Sequence, residues 1–154
     1  MATPSERLRA LGVDLPEPPG AVAAYIPARR EGQLVFTSGQ LPLVNGSVPR
    51  PGKLGADLGV EEGQEAARRS ALNAIAVAAQ AVGGVDNLDG VVKVVGFVQS
   101  APTFYEQPKV VNGASELFES VFGDAGRHAR SAVGVSALPL NAPVEVEVIF
   151  RIRG

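Results

Sequence analysis

The strictest constraint on the fold is the segment Val144-Glu145-Val146-Glu147-Val148-Ile149-Phe150. Side chains of a strand alternate between its faces, so Val144, Val146, Val148 and Phe150 point one way and Glu145 and Glu147 the other. The apolar set demands a core. The carboxylates demand solvent or a partner, because an unpaired buried charge is costly. Upstream, the segment from His128 through Arg130 to Val135 reads as a second strand, with Arg130 on one face together with His128 and Ala132. The two strands are expected to be neighbours joined by a Pro-containing turn. That arrangement sets a cation beside two carboxylates.

The rest of the chain supplies the layers around these strands. Thr3-Pro4-Ser5-Glu6 has the form of a capping box with proline at the first helical position, and Gly12 is a stop. Residues 15–20 are Pro-rich and extended, a short strand is expected over Val22 to Ala28, and a clearer one over Gln33 to Ser38. Asn45-Gly46 signals a two-residue hairpin with Leu43-Val44 and Ser47-Val48 as arms, followed by a loop to Leu58. Val60 to Val82 reads as the longest helix. Glu61 and Glu62 suit its positive N-terminus, and Ala67, Ala71, Ala74, Ile75 and Ala78 form a small-residue stripe. Gly83-Gly84 ends it. Val91 to Val98 is almost continuously apolar, as in a strand covered on both sides. Pro108 to Phe122 is a second helix whose Leu117, Phe118 and Val121 face inward. This order predicts an α+β fold: a single mixed sheet with both helices on one face. The other face is mixed in polarity, so a partner chain is expected to cover it, most economically a second copy.

Composition removes several function classes. With 154 residues, 45% of them hydrophobic, the chain suits one globular domain with a real core. The net charge is −2 and no basic run is present, which disfavours nucleic acid as a partner. There is no Cys and one His, so thiolate chemistry, disulfides and Cys- or His-rich metal centres are excluded. The Asp86-to-Gly90 segment has the wrong spacing for a calcium loop, and no phosphate-binding glycine motif occurs. No metal or other cofactor is expected. No stretch reaches the length of a membrane span and no signal-peptide pattern opens the chain, so a soluble, cytoplasmic protein is expected.

Four segments carry a resemblance to a known family: Val35-Phe36-Thr37-Ser38-Gly39-Gln40-Leu41-Pro42, Val111-Asn112-Gly113-Ala114, Ala129-Arg130-Ser131, and Leu138-Pro139 followed by Val144-Glu145-Val146-Glu147. Together, with the spacing from Arg130 to Glu145, they resemble the Rid family (RidA/YjgF, reactive intermediate deaminases, formerly called L-PSP endoribonucleases). The resemblance spans about Val22 to Ile152. It divides the chain into an N-terminal helix and Pro-rich extension, 1–20, and a Rid-like domain, 21–154. It implies a chorismate-mutase-like fold assembled as a homotrimer around a barrel of sheets, with sites in the clefts between subunits. It implies hydrolysis of 2-aminoacrylate-type enamines and imines to 2-keto acids and ammonia. Carried over by position, Arg130 binds the substrate carboxylate, Glu145 positions water, and Tyr25, Ser38, Gly39 and Asn112 fall in the pocket. The chain departs from the family at Ala132, often Cys there, at Ala23-Ala24-Tyr25, often Gly-Pro-Tyr, and in the longer 45–57 connection.

Each candidate also has a plainer reading. Arg130 offers a planar fork for a carboxylate, or it pairs with Glu145 or Glu147 at an interface. Glu145 is a water-orienting base or a charge partner, and Glu147 has the same parity. Ser38 and Gly39 line a ligand or simply end a strand; Ser38 has no recognisable triad. His128 sits at the cleft mouth or is a hydrogen-bonded surface residue. Asn112 orients a ligand or caps locally. The rival to an imine deaminase is a non-catalytic binder of small carboxylate metabolites using the same cleft. A ribonuclease is disfavoured by the acidic charge and the lack of a His pair.

Overall fold

Val144, Val146, Val148 and Phe150 are all buried, while Glu145 and Glu147 are half-exposed on the opposite side of the same strand. The computed structural model describes residues 1–18 and 24–154. It contains five strands: β1 (Ala28–Glu31), β2 (Leu34–Thr37), β3 (Leu88–Gln99), β4 (Ala129–Val135) and β5 (Val144–Ile152). Three α-helices accompany them: α1 (Pro4–Ala10), α2 (Val60–Val82) and α3 (Gln107–Phe122). The strands form one mixed sheet in the order β1-β2-β5-β3-β4, with β3 and β4 parallel and every other pair antiparallel.

That order corrects the expected hairpin between the last two strands. β3 lies between them, pairing with β4 from Lys93 opposite Ala129 to Gln99 opposite Val135, and with β5 from Leu88 opposite Ile152 to Val98 opposite Val144. The cause is the crossover through α3. It returns the chain parallel to β3 and lays β4 along one edge, so β5 takes the other edge. The connection from Ser136 to Pro143 is therefore a passage across the end of β3. It contains a 3-10 turn, Pro139–Asn141, with both Leu140 (φ 59°) and Asn141 (φ 56°) left-handed. Gln99, 1% exposed, holds this passage: its amide donates to the Gly52 carbonyl and the Asn141 side chain, and its Oε1 accepts from Leu138 N–H.

α2 and α3 cover one sheet face. The small-residue stripe of α2 is buried, and α2 ends where expected, with Gly83 left-handed at φ 82°. Glu62 closes its first turn by accepting from Gly59 N–H at 3.1 Å. Gly113 lets α3 lie against α2, since a Cβ there would collide with the Gln64 carbonyl. Phe118 of α3 meets Phe150 of β5 edge-on, with ring centroids 5.8 Å apart. Burying one such ring contributes roughly 2–3 kcal/mol.

The short α1 forms with its capping box, Thr3 and Glu6 bonding reciprocally at 3.2 and 2.9 Å. Its Leu8 joins the core, and Ser5 donates through both N–H and hydroxyl to Asp86, the residue of the turn that only superficially suggested calcium. The expected strand over 22–28 is displaced: β1 begins at Ala28, and the part at Val22 and Ala23 lies outside the described residues. Asn45-Gly46 does make the tight turn, at φ 51° and 83°, but its arms amount to one bridge, Val44 to Ser47. Prolines at 42 and 49 remove ladder donors just outside it.

Candidate functional site

Arg130 projects from β4 toward α3. Its register partner on β3 is Val94, fully buried on the helix-covered face. Three acceptors from one stripe of α3 receive it. Nη1 donates to Asn112 Oδ1 at 2.8 Å and to Ser115 Oγ at 3.2 Å, and Nη2 donates to the Pro108 carbonyl at 3.2 Å. Residues 108, 112 and 115 recur at helical spacing, which is why they converge on one side chain. Partial burial pulls the Arg130 proton affinity below its ordinary value. The guanidinium still carries its charge, and the Nε–H and second Nη2–H make one fork with no partner among the described residues.

Glu145 belongs to the other face. Its register partner is Phe97, and it stands where the chain leaves β2. There Gln40 N–H donates to the Val146 carbonyl at 2.8 Å, and Val146 N–H to the Gln40 carbonyl at 3.0 Å. These bonds press Gly39 onto the carboxyl: a Cβ on Gly39 would lie 2.7 Å from Glu145 Cδ. Glycine is needed here for space, with no positive φ involved. Burial, reinforced by the neighbouring Glu147 charge, raises the Glu145 pKa above the ordinary carboxylate value. Ser38 donates its hydroxyl to the Ile26 carbonyl at 2.7 Å and its N–H to the Pro27 carbonyl at 2.8 Å, tying the 25–27 segment to the strand end. Tyr25, at the head of that segment, is 59% exposed. Glu147 lies further along β5, where Phe36, Lys93 and Ile149 flank a shallow cavity of about 120 Å³.

The six candidates thus fall into two groups. Tyr25, Ser38, Gly39 and Glu145 lie at one strand end, and Arg130, on the opposite face, meets Asn112 of α3. The expectation of Arg130 beside Glu145 and Glu147 on neighbouring strands is corrected: β3 separates them and their faces differ. Asn112 is also more than a cap, since it holds Arg130. Ser115 and the Pro108 carbonyl escaped the sequence reading, although the 108-112-115 spacing on a helix was available to find them. His128 is hydrogen-bonded to Ser115 and the Gly126 carbonyl and packs edge-on against Phe118, so it is part-buried where its plainer reading expected a surface residue. Among the described residues no cluster of three metal-ligating side chains occurs, and no helix is long and apolar enough to cross a membrane.

Comparison with known proteins places the chain in a family and agrees with its fold. Residues 5–151 match the family described as "YjgF/chorismate_mutase-like, putative endoribonuclease". Protein TCP17 of Trypanosoma cruzi is 44% identical over 147 residues, covering 95% of this chain and 92% of that protein. The crystal structure of Atu1372 from Agrobacterium tumefaciens superimposes with a TM-score of 0.90 at 41% identity, covering 99% of this chain and 94% of that one. "Putative reactive intermediate deaminase TdcF" of Escherichia coli is 30% identical over 133 residues, 85% of this chain and 88% of its own. Its crystal structure with bound serine gives a TM-score of 0.64 at 28% identity, covering 90% of this chain and 94% of that one.

Proposed function

The chain belongs to the YjgF/Rid family, and from that premise we propose that it hydrolyses small reactive enamines and imines of the 2-aminoacrylate/2-iminopropanoate type to 2-keto acids and ammonia. One observation carries the reading: the sheet keeps a half-buried Glu145 carboxyl of raised pKa on one face and a pre-oriented Arg130 fork on the other. A single copy cannot bring the two to one substrate. Two copies can, if the uncovered face of one meets the β4 edge of the next. The uncovered face supports such an assembly, since Phe36 and Val133 are 40% and 43% exposed there. A closed ring of three copies, with one site per interface, is the assembly we propose.

In that site the Arg130 fork binds the substrate carboxylate bidentately. Glu145 of the neighbouring copy orients water toward the imine carbon and takes a proton as the C–O bond forms. Glu145 passes that proton to the imine nitrogen to give the carbinolamine, which then collapses: its hydroxyl proton passes through Glu145 to nitrogen, the C–N bond breaks as C=O forms, and ammonia leaves with the 2-keto acid. Ser38, Gly39, Tyr25 and Asn112 shape the pocket, Gly39 by backbone approach and Asn112 by holding Arg130.

The test is hydrolysis of 2-iminopropanoate followed by ammonia release, with pyruvate binding measured in parallel. Arg130→Lys keeps the charge and loses the fork, so pyruvate affinity should fall by about 1–3 kcal/mol. No acceleration over the spontaneous reaction by the wild-type protein would overturn the enzymatic reading. Pyruvate binding without turnover would make the protein a carboxylate binder instead.

A further inference from the structure

We propose that Ser115 and His128 are positioning residues that aim the Arg130 fork at the substrate carboxylate, acting through one hydroxyl whose donor and acceptor roles are fixed by its neighbours. The inference rests on Arg130 being the carboxylate binder.

His128 Nδ1 lies 2.6 Å from the Gly126 carbonyl oxygen, a group that only accepts. Nδ1 therefore carries a proton, and in the neutral ring Nε2 is left as an acceptor. Ser115 Oγ lies 2.9 Å from Nε2, so the hydroxyl proton goes to His128. The same oxygen lies 3.2 Å from Arg130 Nη1, which only donates. Ser115 is thus a donor to His128 and an acceptor from Arg130.

A serine within a helix ordinarily turns its hydroxyl back to the carbonyl four residues earlier. Ser120 does this in the same helix, donating to Glu116 O at 2.9 Å. Ser115 is drawn away from that default by His128. The imidazole is itself immobilised, edge-on to Phe118 with ring centroids 5.8 Å apart and bonded to Gly126, at the end of the 3-10 turn Gly123–Gly126.

Ser115 and Asn112 together occupy both Nη1 protons, and the Pro108 carbonyl takes one from Nη2. Three acceptors on one rigid helix define the guanidinium plane. Without Ser115 an Nη1 proton loses its partner, and two acceptors in place of three hold the plane. Carboxylate binding should then suffer, while the water step, which depends on Glu145, should not.

The experiment uses the full chain, pyruvate as the calorimetric probe and 2-iminopropanoate as substrate. Ser115→Ala and His128→Phe, the latter keeping an aromatic ring on Phe118, should each weaken pyruvate binding and raise KM by roughly 10-fold, the size of one hydrogen bond to a charged group. The kcat of each should stay within about 2-fold. The double variant should bind no more weakly than Ser115→Ala alone, because His128 acts only through Ser115. Ser115→Thr, which keeps a hydroxyl, should restore binding. Independent losses that add in the double variant overturn the proposal. So does unchanged affinity in Ser115→Ala when Arg130→Ala abolishes binding, which leaves the Arg130 assignment standing. Wild-type protein that binds no pyruvate, or Arg130→Ala that binds normally, removes the carboxylate reading and this inference with it.

Discussion

The Glu145 carboxyl lies against the α-carbon of Gly39, so close that a methyl group there would come within 2.7 Å of Cδ. Gly39→Ala should therefore displace the carboxyl, whose end is flexible, and leave the backbone in place. Turnover should fall roughly 10- to 100-fold, the cost of a misplaced catalytic group, with little change in unfolding temperature. Parallel kinetics and thermal unfolding check this; a large loss of stability would show that the contact serves packing.

Glu145→Gln keeps the shape and removes the base. Turnover of 2-iminopropanoate should drop by roughly 10²-fold while pyruvate binding survives, and Glu147→Gln should stay within a few-fold of wild type. Loss of turnover in Glu147→Gln alone would reverse the assignment.

The raised Glu145 pKa has a thermodynamic signature as well. Between the ordinary value of 4.5 and the raised folded value, the folded chain holds a proton that the unfolded chain has lost. Stability contributed by this group is therefore present below pH 4.5 and lost as pH rises through the folded value. In the separated chain, Glu145→Gln should thus unfold at a higher temperature than wild type at pH 7, and the difference should shrink by pH 4. Thermal scans at the two pH values decide it.

The proposed assembly draws Arg130 and Glu145 of one site from different chains. Neither Arg130→Ala nor Glu145→Gln alone should turn over efficiently. Unfolded together in equal amounts and refolded, they should recover about one quarter of wild-type activity, because one site in four then combines an intact Arg130 with an intact Glu145 across a cyclic interface. No recovery, from mixed oligomers verified by mass, would mean that the two residues do not serve one shared site.

Leu140 is 65% exposed and sits at φ 59°, a conformation that costs a residue with a Cβ. Leu140→Gly should raise unfolding stability by about 1 kcal/mol in the separated chain. A fall, measured by denaturant unfolding at high dilution, would mean that the side chain contributes more than its exposure indicates.

Much of the architecture is legible in the sequence because periods and caps act locally. The alternation of 144–150 defines β5, and the Ala stripe with Gly83 defines α2 from Val60 to Val82. Strand order is a different kind of information. Val133 and Val135 alternate like any strand, and nothing local says that β4 pairs with β3 and not with β5. Face parity has the same limit: it relates Arg130 to Ala132, or Glu145 to Glu147, but relating one strand to another requires register. Once Arg130 is set opposite Val94 and Glu145 opposite Phe97, the two sides separate. Of the acceptors of Arg130, Asn112 is legible in the sequence, while the other two are marked only by their helical spacing: one is a backbone carbonyl and the other, Ser115, is held by His128.

β3 keeps the surroundings of the arginine and of the glutamate apart, and this gives the chain two independent handles for change. On the proposed reading, substitutions along α3 would alter what Arg130 grips without touching Glu145, and substitutions around residues 37–40 would alter the surroundings of Glu145 without touching the grip. A duplicated copy could lose one half and keep the other, becoming a partner that completes its sibling. Descendants of such a chain could diversify in substrate, or fall silent and persist as binders, by drifting on one face of the sheet alone.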